Sequence, residues 1–162
     1  MSRRIRRART WAAASGLLAA AGAQATVCTI SASAIAFGTY DPVAGAGNDS
    51  TATVQVTCVP GVGDPLTTTY TLTIAGTGTG NDATRSIASG AQRLYFQVYK
   101  DASRSTVWGN GSTSGAGVGS GVTSAATAVP AVRSHTVYAR AAAGQNVAPG
   151  TYAGTLLATI GY

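Results

Sequence analysis

A chain of 162 residues, 45% apolar and 10% charged, is long enough for one domain with its own core, and its formal net charge of +6 raises a nucleic-acid reading. That reading fails on where the charge sits. Arg3, Arg4, Arg6, Arg7 and Arg9 are five of the eleven basic residues; without them Arg85, Arg93, Lys100, Arg104, Arg133 and Arg140 face Asp41, Asp49, Asp64, Asp82 and Asp101, a net of +1. Glu is absent, and Thr, Val, Ala, Gly and Ser dominate, which disfavours helices and points to an all-β domain.

The amino-terminal block has the three parts of a secretory leader: the arginines, an apolar stretch from Trp11 to Ala23, and the small-residue cleavage pattern Ala23-Gln24-Ala25. The stretch contains Ser15, Gly16 and Gly22 and is shorter than the ~20 apolar residues of a spanning helix. The sequence therefore predicts a leader over residues 1–25, cleavage after Ala25, and a mature domain over residues 26–162 that starts at Thr26. Export implies an oxidising compartment, in which the only two cysteines, Cys28 and Cys58, are expected to pair. Such a bridge closes a loop of ~30 residues and adds roughly 3 to 4 kcal/mol in the chain-entropy model.

From Val27 onward apolar residues alternate between turn clusters. A first strand is predicted over 27–37, with small residues in its middle permitting a bend. Gly38 to Pro42 turns the chain, and 44–49 is a Gly-rich loop. The second strand covers 52–58 with Val54, Val56 and Cys58 on one face, and Pro60 to Pro65 closes it. In the third, Tyr70, Leu72 and Ile74 alternate with Thr69, Thr71 and Thr73; residues 76–82 end it. Residues 93–100 place Leu94, Phe96 and Val98 on one face and Tyr95, Gln97 and Tyr99 on the other. A turn at Asp101-Ala102-Ser103 leads to a short strand at 106–108. Residues 109–128, mostly Gly, Ser, Thr and Ala, read as a long surface loop. Alternation resumes at 136–142, and Tyr152, Leu156, Ala158, Ile160 and Tyr162 share one face of a strand that runs to the last residue. Short strands with turn signals between them indicate a β-sandwich.

Catalytic chemistry finds little foothold in this pattern. His135, the only histidine, lies in a strand pattern and reads as structural or surface. With both cysteines committed to a bridge no His/Cys cluster remains for zinc, and no acidic run has calcium-loop spacing. A nucleophile elbow and a phosphate-binding loop are missing, and Gly115-Ala116-Gly117-Val118-Gly119 fails the dinucleotide spacing. A glycosidase pair would have to come from five dispersed Asp residues. The expectation is no enzyme, no metal and no cofactor. The sequons Asn48-Asp49-Ser50 and Asn110-Gly111-Ser112 fall in predicted loops and read as turn residues.

Five segments together carry a resemblance: Phe37-Gly38-Thr39-Tyr40-Asp41-Pro42; Val54-Gln55-Val56-Thr57-Cys58; Leu94 to Asp101; Trp108-Gly109; and Pro149-Gly150-Thr151-Tyr152. In order and spacing they resemble the spore coat protein U domain family, whose domains are similar to subunits of archaic chaperone-usher pili. The resemblance implies an immunoglobulin-like sandwich that lacks its final strand. A periplasmic pilus chaperone supplies a strand first. The amino-terminal extension of a neighbouring pilus subunit then replaces it at an outer-membrane usher. It further implies secretion through the periplasm to a pilus or coat at the cell surface. Carried over by position, Leu156, Ala158, Ile160 and Tyr162 are the candidates for the strand that borders the open groove.

The chain departs from the family pattern in two places. Gly154 stands where many members have an Asp, and cleavage after Ala25 leaves Thr26 and Val27 alone ahead of Cys28, too few to span a neighbour's groove at ~3.3 Å per residue. The expectation is a subunit that accepts a strand and has none to give, as a terminal or tip component would, with roles in adhesion and biofilm formation. The competing class is a stand-alone secreted carbohydrate- or surface-binding module using Tyr95, Tyr99, Trp108 and the 109–128 loop. A third, a secreted hydrolase, requires a carboxylate pair.

Overall fold

The computed structural model describes residues 25–76, 82, 84–110, 122–127 and 130–162; residues 1–24 of the predicted leader, with its apolar stretch, lie outside them. Among the described residues eight strands form two sheets: β1 (Val27–Ala32), β2 (Asn48–Val59), β3 (Thr67–Gly76), β4 (Arg85–Ser89), β5 (Gln92–Tyr99), β6 (Val122–Thr127), β7 (Ala131–Ala141) and β8 (Leu156–Gly161). The larger sheet has the order β1-β2-β7-β5-β4 and the smaller the order β6-β3-β8, with every pairing antiparallel. This is the all-β, immunoglobulin-like sandwich the sequence predicts.

Alternation builds the core. Val54, Val56 and Cys58 of β2, Leu94, Phe96 and Val98 of β5, and Val137, Ala139 and Ala141 of β7 point inward from the larger sheet. Tyr70, Leu72 and Ile74 of β3 meet them from the smaller. Two strands escaped the sequence reading. β4 holds a single large apolar residue, Ile87, and is secured by its hairpin to β5 through the tight Gly90-Ala91 turn, where Gly90 takes φ 57°. β6, inside the stretch read as a loop, is made of small residues paired to β3; tertiary pairing overrides a weak pattern here. Residues 111–121 and 128–129 of that stretch lie outside the described residues. Two strands are longer than predicted: β2 begins at Asn48, inside the expected loop, and β7 begins at Ala131.

Cys28 and Cys58 are bonded, and they are direct partners in the β1–β2 register. The bridge staples the edge strand β1 to the sheet. A second tie joins the two sheets through charge. Arg85 and Asp82 are 1% and 2% exposed and form an ion pair at 3.1 Å. The Arg85 guanidinium donates to the carbonyls of Ile74 (2.6 Å), Trp108 (2.7 Å) and Asp82 (3.2 Å) and to the Gln97 side-chain oxygen. The Asp82 carboxylate accepts from the backbone of Gly76 (3.3 Å) and Asn110 (2.6 Å). One buried cation thus connects β3 to β4, β5 and the segment carrying Trp108. Removing one member of a buried pair leaves the other charge uncompensated. Asp82→Asn is therefore expected to cost about 3 to 5 kcal/mol, read as a lowered urea midpoint; an unchanged midpoint would show that the cluster does not hold the sheets.

His135 is structural, as its strand position indicates. Its Nε2 lies 2.7 Å from the Tyr70 hydroxyl, and its ring meets those of Tyr70 and Trp108 edge-on at 5.8 and 6.2 Å. Burial, aided by the nearby Arg133 charge, holds the imidazole below its ordinary value near 6.5. The unfolded chain therefore binds this proton more readily than the folded one. The stabilisation is complete above about pH 6.5 and is lost as pH falls through the depressed folded value. Asp49, Asp64 and Asp101 are held below 3.8 by hydrogen bonds from Arg140, Thr26 and Ser103 respectively, so their contribution is lost only at lower pH. Thermal midpoints measured from about pH 7 to pH 4.5 are expected to decline in the native chain and to decline less in His135→Gln.

Candidate functional site

β8 is paired to β3 alone, in the register Leu72↔Ile160, Ile74↔Ala158 and Gly76↔Leu156; among the described residues no strand borders its other edge. The consequence is visible in burial. Leu72 and Ile74 are 0% and 2% exposed, whereas Leu156, Ala158 and Ile160, which alternate inward from the neighbouring strand, are only half-buried. A groove of about 960 Å³ runs beside that edge. Its floor is Ala52, Val54, Val137, Leu94, Phe96 and Ile87 from the larger sheet and Ile74, Leu156 and Ala158 from the smaller.

The first wall is residues 32–40, where the chain leaves the larger sheet. β1 ends at the Ala32↔Val54 pair. The next contacts are Ser33 N–H to the Thr53 carbonyl (2.9 Å) and Thr53 N–H to the Ser33 hydroxyl (2.9 Å), so a side chain replaces a backbone acceptor and regular pairing stops. Beyond it, the Ser50 hydroxyl donates to the Ala36 carbonyl, and the Asn48 amide donates to the carbonyls of Phe37 and Thr39. Phe37 meets Phe96 edge-on at 5.4 Å, and the Tyr40 hydroxyl donates to the Ala142 carbonyl and accepts from Gln145 N–H. Asn48, read as a loop sequon residue, is thus a strand residue whose amide pins this wall.

The second wall, residues 147–155, docks on β4. Ala88 and Ala153 exchange backbone hydrogen bonds at 2.9 and 3.0 Å. Gly150 and Gly154 permit the approach: a Cβ at Gly150 would stand 2.7 Å from the Ser89 hydroxyl, and one at Gly154 would stand 3.1 Å from Ile87 Cγ2. The residue that departs from the family pattern therefore sits with its backbone against β4.

No Asp, Glu, Lys, Arg or His lines the groove among the described residues, and no group of three or more His, Cys, Asp or Glu there could hold a metal. The groove offers apolar side-chain pockets and an unpaired strand edge. The polar side chains of its described lining are hydroxyls, those of Ser33, Thr39, Tyr40, Thr151, Tyr152 and Thr155. An extended, uncharged segment with alternate apolar residues matches both features.

Of the four residues assigned to this border from sequence, Leu156 and Ala158 line the groove. Ile160 packs half-buried against the core beyond the lining, and Tyr162 is 59% exposed and outside it. Of the aromatic surface candidates, Tyr95 lies on an outer face, with its backbone N–H and C=O held by the Gln145 amide. Tyr99 is half-buried. Trp108 corrects the expectation: it is 1% exposed, its indole N–H donates to the Leu72 carbonyl (3.1 Å), and its backbone N–H bonds to Val98, which turns the ring inward. It has no surface to offer a ligand. The walls were missed by sequence reasoning; their signal is the alternate large residues Ile35 and Phe37, then Tyr40, in an otherwise small-residue segment.

The sequence model of the Spore Coat Protein U domain matches residues 14–159. No curated protein matches the chain. Among solved structures it is similar to a chain in the crystal structure of the CsuC-CsuE chaperone-tip adhesion subunit pre-assembly complex, from the archaic chaperone-usher Csu pili of Acinetobacter baumannii. The likeness has a TM-score of 0.50 at 17% identity and covers 85% of this chain and 40% of that one. At that identity it is a likeness of fold, and this chain spans two fifths of the solved chain's length. A domain match over nearly the whole sequence settles descent: the chain belongs to the spore coat protein U domain family, whose members are structural and not enzymatic.

Proposed function

We propose that this chain is a subunit of a chaperone-usher type surface fibre, completed by a strand that a partner inserts beside β8. The observation that carries the reading is the contrast across β3 and β8: fully buried Leu72 and Ile74 on one strand, half-buried Leu156, Ala158 and Ile160 on the next, with an uncharged groove beyond. An open apolar edge is an aggregation hazard unless a partner covers it. The fold likeness to a chain in a chaperone–subunit complex supports a periplasmic chaperone as the first occupant and a neighbouring pilus subunit as the second. An outer-membrane usher would be the place of exchange. The reading places the chain at the cell surface after transit through the periplasm, at a terminal or tip position with a part in adhesion and biofilm formation.

The inserted strand needs roughly six residues to follow β8, about 20 Å at 3.3 Å per residue. Three inward apolar side chains at about 1.5 to 3 kcal/mol each amount to roughly 5 to 9 kcal/mol of burial. A full-length variant carrying such an alternating strand on a short linker after Tyr162 is expected to remain soluble and to melt about 10 °C or more above the unfused chain. Ala158→Arg in the fused variant should erase that gain, while Thr159→Arg on the outer face should preserve it. If the unfused chain, exported without a chaperone, is a soluble monomer and the added strand changes nothing, the reading is wrong and a self-complete module takes its place.

A further inference from the structure

Asp64 ends the turn that follows β2. Its N–H donates to the Gly61 carbonyl (3.1 Å), and Gly63 within the turn has φ 90°. Its Oδ2 accepts three bonds: from Gly61 N–H (3.3 Å), Thr26 N–H (2.9 Å) and the Thr26 hydroxyl (2.6 Å). The turn itself accounts for the first bond only. The other two come from a residue 38 positions earlier, which directly follows the Ala23-Gln24-Ala25 pattern. Ala25 is exposed and Thr26 half-buried.

We propose that Asp64 is the anchor for the amino-terminal ammonium of Thr26 that forms when the leader is cut between Ala25 and Thr26. The cut is a hydrolysis. One water is consumed, its oxygen joins the Ala25 carbonyl carbon as that carboxylate, and the Thr26 nitrogen leaves as an amine that carries a third proton at neutral pH. This nitrogen already stands 2.9 Å from the Asp64 carboxylate. A bond from a neutral amide N–H to the carboxylate thereby becomes an ammonium–carboxylate ion pair, in which both partners carry charge. The Thr26 hydroxyl, on the same carboxylate oxygen, fixes the direction of approach.

The anchored end lies beside the Val27↔Val59 rung and two residues ahead of Cys28 in the disulfide rung Cys28↔Cys58, so the processed chain is held from its first residue. A chain held this way has no free segment ahead of β1 to insert into a neighbour. That consequence for assembly rests on the strand-accepting reading above; the anchoring itself does not.

The test uses the full chain exported from a bacterial host with its own leader. Intact mass and amino-terminal sequencing are expected to give Thr26 as the first residue. The pH dependence of labelling by an amine-reactive reagent is then expected to place the Thr26 α-amine above its ordinary range of about 7.7 to 8.0. Asp64→Asn should return it to that range, and Asp64→Glu, which keeps the charge, should retain part of the elevation. Should Asp64→Asn fail to fold, the native value and that of Asp64→Glu still decide. A mature terminus upstream of Thr26, as near residue 14 where the family match begins, overturns the inference. So does an uncut chain, or a Thr26 amine that titrates in the ordinary range while Asp64 is intact. Strand uptake is read separately, from the thermal midpoint of the fused variant, so either reading can fail alone.

Discussion

The groove depends on one buried cation. Among the described residues β8 is hydrogen-bonded to β3 and to no other strand, so the position of the open edge is inherited from β3. β3 in turn is fixed to the opposite sheet near its end by Arg85, whose guanidinium reaches the Ile74 carbonyl while Asp82 receives the Gly76 N–H. Ile74 and Gly76 are the register partners of Ala158 and Leu156, the two β8 residues that line the groove. The charge cluster and the groove border are thus one rung apart. Ordinary apolar packing would also close the two sheets, but it is non-directional; bonds from one planar guanidinium to several carbonyls set a geometry.

A sandwich with an open edge must keep its remaining elements from sliding into the gap. The two walls are held by specific bonds and not by depth of burial. At 32–40 the chain is pinned by Ser33, Ser50 and Asn48 side chains, and at 147–155 by the Ala88–Ala153 exchange and glycine approaches to β4. Each wall is tied to a strand of the larger sheet, β2 or β4, and neither to the free edge of β8. The opening is therefore framed by the larger sheet and bordered by the smaller. The disulfide acts on the first of these walls indirectly, by keeping β1 in register with β2 up to the point where Ser33 ends it.

What the sequence made legible follows from how much pattern each element carries. The Tyr70-Leu72-Ile74 and Leu94-Phe96-Val98 alternations are dense with large apolar residues against polar ones, and both became core strands. β4 has one such residue in five, and β6 is built from Val, Thr, Ser and Ala, so neither exceeds the background of a Thr- and Ala-rich chain. Trp108, a surface candidate under the binding-module reading alone, is turned inward by bonds to Val98 and Leu72 that the local sequence does not reveal. Arg85 and Asp82 were visible only as charges, since nothing local distinguishes a buried pair from a solvated one. For the groove, the last strand was legible and its far walls were not, because they are irregular segments whose place is set by side-chain bonds across the fold.

On the proposed reading, the lining indicates how a partner is selected. The described lining residues carry no charged side chain and so offer no ion pair to discriminate between partners, and an unpaired strand edge bonds extended backbone irrespective of its side chains. Size and spacing remain. Ala52, Val54, Val137 and Ala158 are small residues of the lining, and the groove has a volume of about 960 Å³. Side chains that fill such space must be bulkier than those that line it, and they must fall at alternate positions to match the pleat. A segment with small inward residues would satisfy the strand edge and leave voids; one shifted by a single residue would turn its apolar face outward. On the proposed reading the selectivity of this groove is therefore steric, set by the register of bulky residues along an incoming strand.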